Sequence, residues 1–287
     1  MNTSEIAFIR MKGGSGKSTL VSSFFLWLKD NKKKVSIFDA CLNNPVIEHF
    51  LQLKTKEKYD HTGSSVASID TGVCIHCDEC RIHCTFNAVE NKEQFFVKND
   101  ICTGCNYCVS LCPVDAINMI PKRTGQWSIS ESGHGEIIHG WANKDTAKLI
   151  PIMKKEAIFR ANKEENDFLL INAPAGLSLE TKLTISGAEQ KIAIIDSNIR
   201  GKEYLSSLEN FAIDNHHHLK IVLNNTELNT DVDSSLRSLI KDMEMPLIGE
   251  IPFSREIAKY NSLGLICYSQ SKKIASIFKP IFENIVE

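Results

Sequence analysis

The stretch EIAFIRMKGGSGKSTLVSSFFLWL, residues 5–28, decides the fold. Its first seven residues read as an apolar strand, its centre is a glycine-rich loop, and LVSSFFLWL (20–28) reads as a buried helix. Strand, glycine loop and helix in that order make a phosphate cradle. The glycines let backbone amides curl around phosphate oxygens, Lys17 brings a point charge to the β- and γ-phosphates, and Ser18 offers a hydroxyl to Mg²⁺. The expected cofactor-binding loop is therefore Lys12, Gly13, Gly14, Ser15, Gly16, Lys17, Ser18 and Thr19, and the expected ligand is ATP or ADP with Mg²⁺.

Working outward, the same texture recurs. KVSIFDA (34–40), DFLLINAP (167–174), KIAIIDS (191–197), LKIVLNN (219–225) and PLIGEIP (246–252) are short strand-like runs separated by amphipathic helical segments. Such alternation predicts an α/β protein with a doubly wound, mostly parallel sheet covered by helices on both faces. Residues from about 70 to 120 break the pattern, being Cys-rich and short of long periodic elements, and read as a small inserted α+β domain. TKEKYDHTGSS (55–65) ahead of it is polar and reads as a linker. The expected organisation is a first segment over 1–66, an insertion over 67–121 and a second segment over 122–287.

Composition sets the outer limits. With 33 Lys plus Arg against 35 Asp plus Glu, the chain carries no field suited to nucleic acid, and no apolar run is long enough to span a bilayer. The opening MNTSEI lacks the basic region and apolar core of a signal peptide, so the expectation is a cytoplasmic protein. In that compartment thiols stay reduced, and ten cysteines argue for metal ligation rather than disulfides.

Eight of the ten fall in two runs, CIHCDECRIHC (74–84) and CTGCNYCVSLCP (102–113). Each has the spacing C-x2-C-x2-C-x3-C, and the tails FNAVE and PVDAI repeat weakly behind them. In this pattern three thiolates hold one 4Fe-4S cluster and the fourth reaches the other. Cys74, Cys77, Cys80 and Cys112 are assigned to one cluster, and Cys102, Cys105, Cys108 and Cys84 to the second. Zinc motifs need two pairs of ligands per metal, and triple Cys runs at this spacing are not their usual form. The region resembles bacterial-type ferredoxins, which pass single electrons; Thr85 stands where they often carry proline.

Lys12 adds a second resemblance. An early lysine makes the loop similar to the deviant Walker A box of the MinD/Mrp and nitrogenase iron protein superfamily, in which that lysine crosses a dimer interface to the partner's nucleotide. The likeness extends over nearly the whole chain to MinD-superfamily ATPases with an inserted ferredoxin domain, through TGQWSIS (124–130), Gly135, His139, AKLI (147–150), INAPAG (171–176), VLNNTELN (222–229) and IGEIPF (248–253). It implies a nucleotide-dependent dimer, catalytic roles for Lys12, Lys17 and Asp39, a role for Asn172 at the site, and adenine reading by Asn224.

The chain also departs from this pattern. Met11 replaces a glycine, Cys41 replaces the second aspartate of an Asp-x-Asp pair begun by Asp39, and Asn172 replaces the aspartate closing the Walker B strand. A thiol and a neutral amide are poor substitutes for carboxylates that orient water and hold hydrated Mg²⁺. Nucleotide binding is therefore expected to survive better than hydrolysis. Cys41 itself reads as an inert small residue at a strand end, His216-His217-His218 as a solvated turn without function, and the apolar stripe Ile274, Ile277, Phe278, Ile281, Phe282 and Ile285 as a helix docking on its own sheet.

Three functions compete. They are ATP-gated electron transfer to an unidentified redox partner, iron-sulfur cluster assembly or carriage, and MinD-like positioning of other proteins. Carriers of the family hold a transferable cluster on a C-terminal Cys-x-x-Cys, and this chain has only Cys267 in that half, so the redox reading is preferred. The expected assembly is a homodimer, or a heterodimer with a paralogous ATPase that keeps its carboxylates and borrows Lys12.

Overall fold

The computed structural model describes residues 3–12, 14–211 and 219–287. The strands in chain order are β1 (Ser4–Arg10), β2 (Val35–Asp39), β3 (Lys54–His61), β4 (Ser64–Ile69), β5 (Val89–Asn91), β6 (Phe95–Val97), β7 (Ile117–Lys122), β8 (Gly125–Ser132), β9 (Gly135–Ala142), β10 (Phe168–Ala175), β11 (Gln190–Asp196), β12 (Leu219–Thr226) and β13 (Leu247–Pro252). Two compact units result: Met1–Tyr59, Trp127–Trp141 and Thr146–Glu287 form one, Asp60–Gln126 with Ala142–Asp145 the other.

A nine-stranded sheet, ordered β13-β12-β11-β1-β10-β2-β9-β8-β3, organises the first unit. Neighbours from β13 to β9 pair in parallel, so these strands bury both faces and are rich in Ile, Leu and Val. The helix α1 (Lys17–Asp30) is buried at every position from Lys17 to Leu28, which is why its sequence shows no polar face. The C-terminal helix Lys272–Val286 lays Ile274, Phe278, Ile281, Phe282 and Ile285 into the same core, with the Phe282 ring 5.1 Å from Phe24 and 5.7 Å from Trp27. Its stripe is internal packing. Among the described residues no helix is long and apolar enough to cross a membrane.

Part of the polar run expected to be a linker is strand: Lys54–His61 is β3, at the edge of the large sheet. An edge strand needs few apolar residues because most of its side chains face water, and lysines there discourage pairing with a second chain. Tyr59, stacked 4.4 Å from Trp127, supplies an apolar anchor.

The second unit holds two small antiparallel sheets, β4 with β7 and β5 with β6, and the short helices Glu79–Ile82 and Tyr107–Leu111 within the Cys runs. Its backbone repeats with a pseudo-twofold logic. Left-handed conformations fall at His76, Asp78 and Asn87 in the first half and at Gly104, Asn106 and Asp115 in the second, the same offsets from Cys74 and Cys102. Non-glycine residues adopt this region at a cost. Its use at matched positions marks a required path of the chain.

Candidate functional site

Two sites emerge, one in each unit. In the second unit, the eight run cysteines line two cavities. One is bordered by Cys74, Cys77, Cys80 and Cys112, the other, of about 280 Å³, by Cys102, Cys105, Cys108 and Cys84 with Cys80 on the shared wall. Three thiols of each run thus meet the last thiol of the other run. The backbone N–H of Ala88 donates to Cys84 Sγ at 3.3 Å, and that of Ala116 donates to Cys112 Sγ at 3.2 Å. Both crossing sulfurs receive the same support.

This arrangement fits iron-sulfur clusters better than single ions. Each cavity is lined by three thiols of one run and the last thiol of the other, the donor set of a 4Fe-4S cluster, and the larger admits a multi-atom group. Burial first, and then the neighbouring Cys108, Cys74 and Cys77, push the Cys80 thiol up to about 11. Burial and then Cys102 and Cys105 push Cys108 up as well. Thiols so crowded do not ionise together without a positive core beside them. N–H groups aimed at sulfur favour the thiolate that such a core would bind.

The second site lies at the carboxyl ends of the parallel strands. Sheet register sets Phe8 of β1, Asn172 of β10 and Asp39 of β2 in one row, directly below the glycine loop. Gly16 precedes α1 with φ 80°, and a Cβ there would lie 2.7 Å from Asn224 Nδ2. Asn224 Nδ2 donates to the Ser15 carbonyl at 2.9 Å, tying the loop to β12. Glycine is thus required at position 16 for both its backbone and the closeness of Asn224.

Lys17 is fully buried, and its Nζ donates to Asn172 Oδ1 and, at 3.5 Å, to Cys41 Sγ. Asn172 Nδ2 donates to Asp39 Oδ1 at 2.8 Å, which also accepts the Cys41 N–H at 3.1 Å. Both ends of the Asn172 amide are therefore engaged. Burial lowers the Lys17 ammonium from its ordinary range, opposed by Cys41 and Asp39. Burial likewise raises Cys41 to about 11, opposed by Lys17, so Cys41 is a thiol at neutral pH and its hydrogen bond runs to the Ala173 carbonyl at 3.2 Å.

Ser15 Oγ, Ser18 Oγ and Asp39 Oδ2 are buried without hydrogen-bond partners. Hydroxyls at the mouth of a phosphate loop and a carboxylate oxygen are suited to phosphate oxygens and to a hydrated Mg²⁺. Lys12 and Gly14 are exposed. Thr19 Oγ1 instead donates to Asn261 Oδ1 at 3.0 Å, in the helix Arg255–Ser262. Gly13 and His216–His218 lie outside the described residues. Cys267 is wholly buried, 3.7 Å from Ser23 Oγ.

The sequence reading missed Arg10, which ends β1 beside the loop and is 8% exposed. Its signal was a lone basic residue closing an apolar strand.

The comparisons agree with this division. Residues 67–119 match the 4Fe-4S dicluster domain family. A segment of 54 residues is 35% identical to the pyruvate synthase subunit PorD of Methanocaldococcus jannaschii, covering 18% of this chain and 63% of that subunit. A segment of 53 residues is 38% identical to an uncharacterized ferredoxin of the same organism, covering 17% of this chain and 32% of the ferredoxin. The chain therefore spans less than two thirds of these curated relatives. By structure, the septum site-determining protein MinD of Pyrococcus horikoshii, solved with Mg-ADP, aligns over 99% of this chain and 96% of its own with a TM-score of 0.57 and 17% identity. A ParA family ATPase from Chlorobium tepidum aligns over 99% of both chains with a TM-score of 0.59 and 12% identity. The protein thus has the fold of the MinD/ParA-type P-loop ATPases and carries within it a segment, residues 67–119, that matches the 4Fe-4S dicluster domain family.

Proposed function

We propose that this chain is a nucleotide-binding iron-sulfur protein in which ATP-dependent rearrangement of the phosphate loop is coupled to electron transfer through two 4Fe-4S clusters. The observation that carries the reading is the crossed lining of the two cavities, three thiols from one run and one from the other in each. Clusters held there would supply one-electron chemistry. Cys74, Cys77, Cys80 and Cys112 would hold one, and Cys102, Cys105, Cys108 and Cys84 the other. Cys80, on the wall common to both cavities, keeps the two centres close. The Ala88 and Ala116 N–H groups would stabilise the ligating sulfurs.

At the other site, Lys17 is the moving part. To reach a phosphate it has to leave Asn172 and Cys41, and its release frees the amide that bridges β10 to Asp39. Ser18 and Asp39 offer the oxygens available to Mg²⁺. Asn224 holds the loop from β12, where it stands ready to meet the base. Nucleotide bound there would favour a dimer in which exposed Lys12 reaches a partner's phosphates, the partner being a second copy or a paralogue with its carboxylates intact. The carrier alternative is disfavoured by Cys267, whose full burial leaves it unable to share a cluster between subunits.

The test is anaerobic purification followed by iron and sulfide analysis and reduction with and without ATP. About eight iron and eight sulfide per chain are expected, with a cluster reduction rate or potential that changes on adding ATP. Stoichiometric zinc without iron-sulfur absorption would end the reading; clusters indifferent to nucleotide would end the coupling.

A further inference from the structure

Arg10 is the basic group that the site, as described so far, leaves unexplained. It is 8% exposed at the end of β1, two residues before Lys12 opens the glycine loop, and its Nε has no hydrogen-bond partner. No carboxylate of the described residues lies within ion-pair distance of it. Asp196, at the end of the adjacent strand β11, feels its charge, but Asp196 Oδ1 accepts instead from Asn225 Nδ2 at 3.0 Å. A buried guanidinium lacking a paired anion is costly, and the cost is removed when an anion arrives. Arg10 lies within electrostatic reach of Lys17 and Cys41, so the anion it awaits belongs at the phosphate loop.

The groups that would face Mg²⁺ differ from those of the usual P-loop site. The ion prefers hard oxygen donors in a strict octahedron, and P-loop sites hold it with a loop hydroxyl and a strand-end aspartate. Here the β10 position is Asn172, neutral and with both ends of its amide engaged, and the group beside it is the soft thiol of Cys41. Among the described residues of the loop and of β2, Ser15 Oγ, Ser18 Oγ and Asp39 Oδ2 remain as open oxygens. Arg10 and Lys17 together bring two positive charges to Asp39, and Asp196 at the end of β11 also lies within electrostatic reach of Arg10. Two side-chain cations thus stand where phosphate charge would otherwise need a metal.

We infer that Arg10 is a phosphate-binding residue of this loop and that nucleotide binding by this chain does not depend on Mg²⁺. The inference rests on the nucleotide-binding reading above and adds to it a binding residue and the chemistry of charge neutralisation.

The test uses the full chain, purified anaerobically with its clusters, and measures the Kd for ATP by calorimetry in excess Mg²⁺ and in excess EDTA. Wild-type protein should bind in EDTA within about tenfold of its affinity in Mg²⁺. Arg10→Met should weaken binding in EDTA at least tenfold, and Arg10→Lys should recover part of the loss because charge returns without the planar fork. A parallel titration with inorganic phosphate separates sources of the anion: phosphate displaced by ATP supports one seat, whereas phosphate that ATP does not displace overturns the assignment. Binding that is measurable in Mg²⁺ and lost in EDTA overturns the inference and leaves the nucleotide reading standing. No binding under either condition overturns both. Should Arg10→Met fail to fold, the wild-type comparison and Arg10→Lys still decide the question.

Discussion

Asn172 and Cys41 set two uncharged residues beside Lys17 of the glycine loop. Asn172 uses its oxygen to hold Lys17 and its nitrogen to hold Asp39, a pairing open only to an amide, since a carboxylate has no N–H to give. Replacing Asn172 by Asp would keep the Lys17 bond and set a second negative charge beside Asp39, a repulsion that a divalent cation relieves. The double variant Cys41→Asp, Asn172→Asp is therefore expected to gain Mg²⁺-dependent ATP hydrolysis of at least about tenfold over the parent, equivalent to about 1.4 kcal/mol of barrier. Phosphate release under single-turnover conditions measures it. An unchanged rate would mean that the missing carboxylates are not what limits the parent chain.

Elements place these residues, and two of them can be probed independently. In the Cys-rich unit, Gly104 adopts φ 74°, and a Cβ there would run into the Ser65 carbonyl of β4. His76, at the matching offset in the first run, holds φ 58° with a side chain already present. Gly104→Ala should cost about 1–2 kcal/mol for the backbone alone, more with the collision, and lower the iron retained after anaerobic gel filtration; His76→Ala should leave iron content near that of the parent. In the other unit, Phe282 joins the C-terminal helix to Phe24 and Trp27 of α1. Truncation to Ala should destabilise the unit by about 3–5 kcal/mol. Chemical denaturation followed by tryptophan fluorescence reads this loss, and a cost below about 1 kcal/mol would show that the helix is an appendage.

On the scale of the whole molecule, the pairing of an exposed Lys12 with a carboxylate-poor site bears on assembly. A lysine that serves a partner's nucleotide is useful even where its own site turns over poorly. If a paralogue with intact carboxylates is the partner, Lys12→Ala in this chain should reduce ATP hydrolysis of the mixture by about tenfold or more, the scale of one charge-assisted phosphate contact, while this chain's own ATP affinity changes little. Native mass spectrometry of complexes isolated anaerobically with ATP identifies the partner. Homodimers alone, from an extract expressing every candidate paralogue, would exclude the heterodimer.

The sequence by itself determined whatever rests on local spacing and periodicity. Six strand runs read from apolar stretches correspond to β1, β2, β10, β11, β12 and β13 to within a residue at most ends, because strands buried on both faces of a parallel sheet must be continuously apolar. Cysteine spacing led to the dicluster match at residues 67–119, since ligand geometry around a cluster fixes the intervals. Tertiary structure alone decided the rest. β3 was hidden because an edge strand owes its pairing to a neighbour distant in sequence, not to its own polar residues. That Asn172 captures Lys17, that Thr19 is tied to Asn261, and that Arg10 is buried with an unpartnered Nε follow from strand register and helix packing. Those contacts join residues far apart along the chain, and burial, which turns an ordinary arginine into a waiting anion site, is a property of the folded surroundings.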